Sequence, residues 1–441
     1  MIFTFRGGIH PNEQKQYTEN VPINYLNPIL KSEMIFPLVQ HLGVPCEPIV
    51  SAGQKVLLGE KIGDANAFVS SPVHSSVSGI VKEIRPHMTA MGTIVNSIII
   101  ENDGEYLEHE RIKPIVNYDG FSREEILSVI REAGIVGLGG AGFPTHVKLS
   151  PPPGKKIDIV IINGSECEPY LTTDNRVMIE ESDRIVTGLK IILKTLPDAK
   201  GIIAIEDNKP EAIESLKKAC ENIPGISVAV VETKYPQGAE KQLIYALTKK
   251  EVPEGGLPAD TGCIVNNVDT VIAIHRAFVR GRPLMRKVVT LAGDAIKNPG
   301  NYKVRLGTKV SDLVEMSGGF KGNPAKVVVG GPLMGVAIFD INVPVVKTTS
   351  GLLFLTENEA HIPPERNCIR CGQCVEYCPM GLIPTELNTD VLRENSEMFI
   401  KHNGLECIEC GSCSYICPAK RRLSQAIRTI RRAELAKRKN K

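Results

Sequence analysis

The sequence predicts a multidomain protein of mixed α/β and α+β class. Its 441 residues are too many for one hydrophobic core and suggest about three domains. Short β-branched runs fill the first part of the chain, helices and strands alternate in the middle, and eight of the twelve cysteines cluster near the end. We therefore expect a β domain, an α/β domain, a small β-grasp module and a cysteine-rich domain, in that order.

The N-terminal β domain is expected to span residues 1–115. Val44–Val50 and Gly79–Val81 are β-branched runs bounded by Gly and Pro, as is typical of short strands. The stretch Ser51–Ile84 resembles the flattened half-barrel of biotinyl and lipoyl carrier domains. Ala67-Phe68-Val69 takes the place of the usual carrier lysine. The resemblance thus implies a carrier-like barrel-sandwich fold without swinging-arm chemistry.

Residues 116–287 are expected to form the α/β domain. Ser122 and Glu125 make a capping box before an apolar-periodic helix that runs to Ala133. Strands and helices then alternate: strand Ile157–Asn163, helix Arg184–Thr195, strand Gly201–Glu206, helix Pro210–Cys220, strand Ser227–Glu232 and helix Ala239–Leu247. This alternation predicts a mostly parallel sheet.

The rest of the chain is expected to form three smaller parts. Residues 288–350 read as a β-grasp module, with strands Val288–Gly293 and Val327–Val329 around a helix Val310–Ser317 that Gly318-Gly319 ends. Residues 351–419 form the cysteine domain. Residues 420–441 form an amphipathic helix with an apolar face of Leu423, Ile427, Ile430 and Leu435.

Composition and charge restrict the class of protein. Hydrophobic residues make up 42% and charged residues 23% of the chain, which is typical of a soluble globular protein. We find neither an apolar run of the roughly 20 residues that span a bilayer nor an N-terminal secretory signal. A cytoplasmic protein is expected, which partners could hold at a membrane. Residues 420–441 carry ten basic residues and one acidic residue, which suit a solvated helix or contact with anionic lipid or nucleic acid; we expect the solvated helix and no nucleic acid.

Two cysteine runs share one spacing, Cys-x-x-Cys-x-x-Cys-x-x-x-Cys-Pro. This is the pattern of bacterial two-cluster ferredoxins, in which the fourth cysteine of each run ligates the other cluster. The predicted ligands are therefore Cys368, Cys371, Cys374 and Cys417 for one 4Fe-4S cluster, and Cys407, Cys410, Cys413 and Cys378 for the second. Structural zinc is the alternative, but zinc sites pair two C-x-x-C units without a third cysteine and a trailing Cys-Pro.

A glycine-rich loop, residues 137–145, satisfies G-x-G-x-x-G. It follows a predicted helix and precedes Pro144, so it is not a standard dinucleotide-binding turn. Clustered glycines expose backbone N–H groups to an anion, so a phosphate or flavin cradle and a purely structural turn both stay open. Residues 163–169 follow a buried strand, and polar residues at the carboxyl end of a parallel strand are where α/β proteins place ligands.

With residues 235–241 and 266–270, these segments resemble the flavin- and NADH-binding subunit of respiratory complex I and its hydrogenase relatives. The resemblance implies an FMN and NAD(H) site and no covalent or acid–base catalytic residue. The matching positions are Gly137, Gly139, Gly140, Gly142, Phe143 and Lys148 in the loop, Asn163, Glu166 and Glu168 at the strand end, Tyr235, Gly238 and Glu240 in the third segment, and Asn266, Asn267 and Thr270 in the fourth. Leu138, Ser165 and Ala239 replace an Arg, an Asp and a Glu of that family's pattern.

The order of domains, the opening Gly7-Gly8-Ile9-His10-Pro11 and the segment 330–335 resemble the C subunit of the Rnf electron-transport complex over nearly the whole chain. The resemblance implies a complex-I-flavoprotein-like α/β domain and an SLBB-type β-grasp module. It also implies a peripheral subunit on the cytoplasmic side of the cell membrane. Its complex would exchange electrons between NADH and a ferredoxin-type carrier, through partner subunits, and couple this to Na⁺ or H⁺ translocation. Two hypotheses follow: an NADH-dependent oxidoreductase subunit that passes electrons from NADH through FMN to the clusters, or a non-enzymatic iron–sulfur adaptor with a vestigial flavin pocket.

Overall fold

The computed structural model describes residues 2–115 and 117–439, so the predicted domain limits at residues 1, 116 and 441 lie outside the described residues. Eight strands come first: β1 (Asn24–Tyr25), β2 (Glu33–Pro37), β3 (Glu47–Pro48), β4 (Lys55–Val56), β5 (Lys61–Asp64), β6 (Val73–His74), β7 (Gly79–Met88) and β8 (Ile94–Asn102). Strands β2, β8, β7 and β4 form one antiparallel sheet, and β3, β5 and β6 form another. The two sheets share a core that includes Phe36, Ile62, Val81 and Ile100, because alternate side chains of a strand point to the same side.

The α/β domain follows, with a four-stranded parallel sheet in the order β11-β10-β9-β12. Its elements are α1 (Arg123–Glu132), α2 (Thr145–Lys148), β9 (Ile159–Gly164), α3 (Thr173–Glu180), α4 (Ser182–Lys194), β10 (Lys200–Glu206), α5 (Pro210–Ala219), β11 (Ile226–Val231), α6 (Glu240–Thr248), β12 (Cys263–Asn267) and α7 (Val268–Arg280). The predicted parallel sheet and the capping box of Ser122 and Glu125 are both present. Helix α6 packs on one face of the sheet, and α3, α4, α5 and α7 contribute to the core on the other.

A third, six-stranded sheet has the order β1-β14-β13-β17-β15-β16. Its further elements are β13 (Arg286–Ala292), β14 (Gly300–Arg305), α8 (Val310–Met316), β15 (Lys326–Val329), β16 (Val336–Ile338) and β17 (Gly351–Leu355). Two of its strands come from outside the predicted range of residues 288–350: β1 from the N-terminal part, and β17 from the start of the predicted cysteine domain. All five residues of β17 are buried, because the strand lies between β13 and β15.

The cysteine domain is built from short helices: α9 (Glu357–Ala360), α10 (Gln373–Glu376), α11 (Pro384–Leu392), α12 (Ser396–Lys401), α13 (Ser412–Ile416) and the terminal α14 (Leu423–Lys439). Helix α14 packs on α11 through the predicted apolar face, since Leu423 and Ile427 are buried. In the described part of the chain, no helix is long and apolar enough to span a membrane.

Candidate functional site

The glycine loop, residues 137–143, joins α1 to α2 and lies against the beginning of α7. The Leu138 N–H donates to the Thr270 hydroxyl over 2.9 Å, and the Leu138 side chain is buried. A Cβ on Gly139 would come within 2.9 Å of the Asn267 Cβ, whereas one on Gly140 would meet open space. Gly139 and Gly140 are exposed. The loop therefore presents bare backbone beside the start of α7.

The carboxyl ends of β9 and β12 bring the other predicted segments together. The Asn163 side-chain amide donates to the Gly238 carbonyl over 2.8 Å. The Lys148 ammonium donates to the Val265 carbonyl over 2.9 Å and pairs with the Glu240 carboxylate at 3.2 Å. Residues of all four predicted segments thus meet at one edge of the parallel sheet, where ligands of such sheets bind.

Buried polar atoms at this edge have no hydrogen-bond partner among the described residues. They are Nδ2 of Asn266, Oγ of Ser165, and both Oε1 and Nε2 of Gln237. Buried polar groups are nearly always hydrogen-bonded, so unpartnered ones suit a polar ligand. Together with the bare backbone at Gly139 and Gly140, they fit a phosphorylated flavin such as FMN. From the sequence, Ser165 is only a departure from the family's pattern and Gln237 is not a predicted site residue, so the unmet hydrogen bonding of their side chains is what points to both.

Two carboxylates that are predicted to bind the cofactor, those of Glu166 and Glu168, accept hydrogen bonds from the protein's own backbone. The Glu166 carboxylate accepts hydrogen bonds from the Asp174 and Asn175 N–H groups, at 2.6 and 3.1 Å, at the start of α3. The Glu168 carboxylate accepts from the Leu333 and Met334 N–H groups at 3.1 and 2.8 Å, and burial raises its pKa. Direct contact of either with a cofactor stays a prediction, as it does for the half-buried Phe143 and for Gly137 and Gly142.

Asp174 is a buried carboxyl group next to this edge. Its Oδ2 accepts a hydrogen bond from the Asn267 side-chain amide over 2.6 Å. Burial and the charges of Glu166 and Asp269 raise the pKa of Asp174 to about 7, although the charge of Lys287 and the hydrogen bond from Asn267 lower it. The native state therefore holds a proton that the unfolded chain loses between about pH 4 and 7.

Because Asp174 keeps its proton in the native state, we predict that the free energy of unfolding falls as the pH rises from about 4 to 7. Over this range the unfolded state binds fewer protons than the native state. Asp174→Asn keeps the hydrogen bond to Asn267 without a charge. It should be more stable than the wild type at pH 8 by on the order of 3 kcal/mol, with little difference near pH 4. Urea unfolding of both proteins across this range measures the effect. The exposed Asp183→Asn is the matched control, and an equal gain at pH 5 and 8 would contradict the prediction.

Tyr235 lies between the α/β domain and the cysteine domain. Its hydroxyl donates to the Cys410 carbonyl over 2.7 Å, and its side chain is 1% exposed. Ile9, Tyr235 and Cys410 form an apolar cluster, against which Cys167 and Tyr377 pack. The predicted nucleotide edge thus reaches the cysteine domain by direct contact through this residue.

An N-terminal strap, residues 3–18, holds this junction. Ile9 and Tyr235 exchange backbone hydrogen bonds of 2.8 Å, and the Gly8 N–H donates to the Tyr377 carbonyl over 3.0 Å. Gly8 has φ +81°, and a Cβ there would come within 2.7 Å of the Tyr235 carbonyl oxygen. Only glycine accommodates both this positive φ and this close approach without strain.

Gly8→Ala is therefore expected to destabilise the protein by ~2 kcal/mol or more, from left-handed backbone strain plus the close contact. Gly53 is a matched control, since its φ is +85° and a Cβ there would have nothing within 4 Å. Gly53→Ala should destabilise the protein only through the backbone strain, by about 1 kcal/mol. Thermal unfolding of the two variants compares them directly, and equal losses would show that the approach to Tyr235 is unimportant.

The eight cysteines form two groups of four, and each group takes its fourth member from the other run. Burial raises the pKa of Cys374, and the nearby Cys417, Cys368 and Cys371 raise it further. Burial likewise raises the pKa of Cys413, as do Cys410, Cys407 and Cys378. These neighbours fit the crossed ligand sets expected from the ferredoxin spacing, and the assignment of ligands to clusters stays a prediction. In the part of the chain that the structure describes, no three His, Cys, Asp or Glu side chains converge on a single-ion site.

The two runs repeat the same local backbone. Gly372 and Gly411 have φ of +78° and +81° and precede α10 and α13. Arg370 and Glu409 also have positive φ, which directs their N–H groups at the sulfurs of Cys368 and Cys407, each 3.4 Å away. Thiolates that accept backbone hydrogen bonds fit the ligands of an iron–sulfur cluster.

Comparison with protein-family models gives four matches along the chain. They are the RnfC barrel sandwich hybrid domain over residues 3–105, the Nuo51 FMN-binding domain over residues 130–276, the SLBB domain over residues 288–337 and a 4Fe-4S dicluster domain over residues 367–421. The predicted fold class is confirmed, as are FMN and two 4Fe-4S clusters as the cofactors that these domain types bind.

Two solved structures share the fold of part of the chain. They are chains of an NAD⁺-reducing [NiFe]-hydrogenase in the air-oxidised and H₂-reduced states, each with a TM-score of 0.50 and with 20% and 18% sequence identity. The alignments cover 64% and 72% of this chain. The chain spans less than two thirds of either hydrogenase chain, 55% and 64%.

Curated relatives match this chain over more than nine tenths of its length. The C subunit of the proton-translocating ferredoxin:NAD⁺ oxidoreductase complex of Clostridium ljungdahlii is 47% identical, over 98% of this chain and 94% of the relative. The C subunit of the Na⁺-translocating complex of Acetobacterium woodii is also 47% identical, over 99% and 98%. The C subunit of an ion-translocating oxidoreductase complex of Yersinia pseudotuberculosis is 43% identical over 91% of this chain and 57% of the relative. The chain therefore belongs to the family of C subunits of the Rnf-type, ion-translocating oxidoreductase complexes.

Proposed function

We propose that the chain exchanges electrons between NADH and the other subunits of a membrane-bound ferredoxin:NAD⁺ oxidoreductase that translocates Na⁺ or H⁺. The observation that carries the proposal is the contact of Tyr235 with Cys410, which joins the nucleotide edge to a predicted cluster ligand. FMN, when bound, would accept the two electrons of a hydride together and release them singly, as a one-electron cluster requires.

The residues that we propose to hold FMN and NAD(H) are those at the edge of the parallel sheet. The exposed backbone of Gly139 and Gly140 suits a phosphate, and the unpartnered Asn266 amide and the Lys148 ammonium supply donors. Asn163 and Glu240 would fix the segments around them. Two clusters held by the crossed cysteine sets would then carry single electrons onward.

The names of the relatives support the proposal that the chain is part of an ion-translocating complex. The Clostridium protein is named for a proton-translocating complex and the Acetobacterium protein for a Na⁺-translocating one, so similarity alone favours neither ion. We propose a peripheral position on the cytoplasmic side of the cell membrane, where NADH is available.

A second candidate is an iron–sulfur adaptor with a vestigial flavin pocket. The departures from the family pattern favour it, above all Leu138, whose buried apolar side chain stands where an Arg is expected. The visible spectrum of anaerobically purified protein, followed by NADH titration, separates the candidates. Bound or bindable FMN that NADH bleaches is expected. Clusters without bindable FMN, and no bleaching by NADH, would favour the adaptor.

A further inference from the structure

The two cysteine groups have different surroundings. The group of Cys407, Cys410, Cys413 and Cys378 lies against the α/β domain and the strap: Cys410 is 8% exposed, and a Cβ on Gly7 would come within 2.8 Å of the Cys378 carbonyl oxygen. In the other group, Cys368 and Cys371 are exposed. The group that contains Cys368 and Cys371 is therefore the one that a protein from outside can approach.

The surface around Cys368 and Cys371 is apolar at its centre. Residues 361–372 are all exposed and form neither helix nor strand. Within them Ile362 is 58% and Ile369 67% exposed. Exposed apolar side chains beside an accessible redox centre are typical of a surface that a partner covers.

Basic side chains lie within this segment and next to it. Arg366 and Arg370 come from the same segment, and the Arg366 N–H donates to the Ala419 carbonyl over 2.9 Å, which places Lys420 and Arg421 near Arg366. None of these four has a salt-bridge partner among the described residues. Glu365, in contrast, is engaged by Arg422, whose N–H donates to it over 2.8 Å. Glu376 is the remaining acidic side chain of residues 361–376, so residues 361–376 and 420–422 together carry five Lys or Arg and two Glu side chains.

We propose that this surface, the exit face (Ile362, Arg366, Ile369, Arg370, Lys420 and Arg421), docks a protein electron carrier with an acidic surface around its own one-electron centre. The proposal rests on the proposed function for its supply of electrons. Exposed apolar side chains with arginines beside them suit a protein interface, and opposite charges steer encounter between partners. Each encounter moves one electron: the chain is oxidised by one, the carrier is reduced by one, and no bond or proton is transferred.

The test follows electron transfer from the chain, with both clusters loaded, to an oxidised, acidic two-cluster ferredoxin by stopped flow. Dithionite reduces the chain and its excess is removed, so the result does not depend on FMN or NADH. The expected rate constant falls about tenfold or more between low and high salt. Arg366→Glu with Arg421→Glu should lower the low-salt rate by about tenfold and remove most of the salt dependence. Arg370→Gln, a milder change, should lower it several-fold.

Lys217→Glu with Lys218→Glu is the matched control, because it makes the same charge change on exposed residues of α5. It should leave the rate unchanged, and a small viologen acceptor should react equally with all variants that retain both cluster signals. Equal slowing by the control, or a wild-type rate for both exit-face variants, would overturn the proposal. So would loss of binding to phosphatidylglycerol vesicles with unchanged transfer to ferredoxin, which would assign the face to lipid. Failure of NADH to reduce the chain would count against the proposed function alone.

Discussion

Replacing Cys378 by Ala is expected to remove the cluster of the second cysteine run and to leave that of the first. Cys378 belongs to the first run, but its thiol lies near Cys407, Cys410 and Cys413. A cubane that loses one of its four thiolate ligands is incompletely held, so the variant should lose about half of its iron. Iron content and electron paramagnetic resonance (EPR) of the reduced, anaerobic protein measure this.

The reciprocal variant tests the same crossing from the other side. Cys417→Ala should damage the cluster of Cys368, Cys371 and Cys374, since Cys417 lies near Cys374. Cys220→Ala is a control that should leave both signals, because this thiol is buried in the α/β core, away from the two groups. Damage confined to each variant's own run would refute the crossed assignment.

Lys287→Met is expected to destabilise the α/β domain by about 3–5 kcal/mol. The Lys287 ammonium lies 2.8 Å from the Asp269 carboxylate, and the two side chains are 2% and 5% exposed. Removing the cation leaves Asp269 buried and unpaired beside Asp174, whose pKa the charge of Lys287 lowers. The melting temperature should fall by roughly 10 °C, as followed by far-ultraviolet circular dichroism.

The double variant Asp269→Asn with Lys287→Met distinguishes an unpaired charge from lost packing. It removes both charges, so most of the lost stability should return. Lys190→Met, on the exposed side of α4, is a control for the substitution itself and should change stability little. A double variant as unstable as Lys287→Met would mean that the buried charge is not the cause.

Much of the fold could be predicted from periodicity and local signals. The alternation of helices and strands indicated the parallel sheet, and Ser122 with Glu125 marked the start of α1. Strand β14 was missed because Asn301, Lys303 and Arg305 read as surface residues. Each is buried, and each is satisfied by distant groups, as in the pairing of Lys303 with Glu181 at 3.0 Å. Local sequence does not encode such partners.

The candidate sites likewise combine local sequence patterns, which can be predicted, with long-range contacts, which cannot. The cysteine spacing is a local pattern, and it predicts crossed ligand sets that fit the neighbours of Cys374 and Cys413. The position of Tyr235 depends on contacts with Ile9 and Cys410, which are far away in the sequence. The engagement of Glu168 by the loop of Leu333 and Met334 is equally long-range. These features emerge only when the strap and the cysteine domain pack on the α/β domain.

We propose that electrons pass from the nucleotide edge first to the second-run cluster, whose Cys410 contacts Tyr235, and then to the first-run cluster. Freeze-quench EPR after mixing with NADH, with flavin absorbance followed in parallel, tests it in the wild type and in Cys378→Ala. We predict that NADH bleaches the flavin in both proteins, that both clusters are reduced in the wild type, and that in the variant the first-run cluster stays oxidised on the same timescale. Reduction of that cluster at the wild-type rate in the variant, or no bleaching of flavin in the wild type, would contradict this route of electrons.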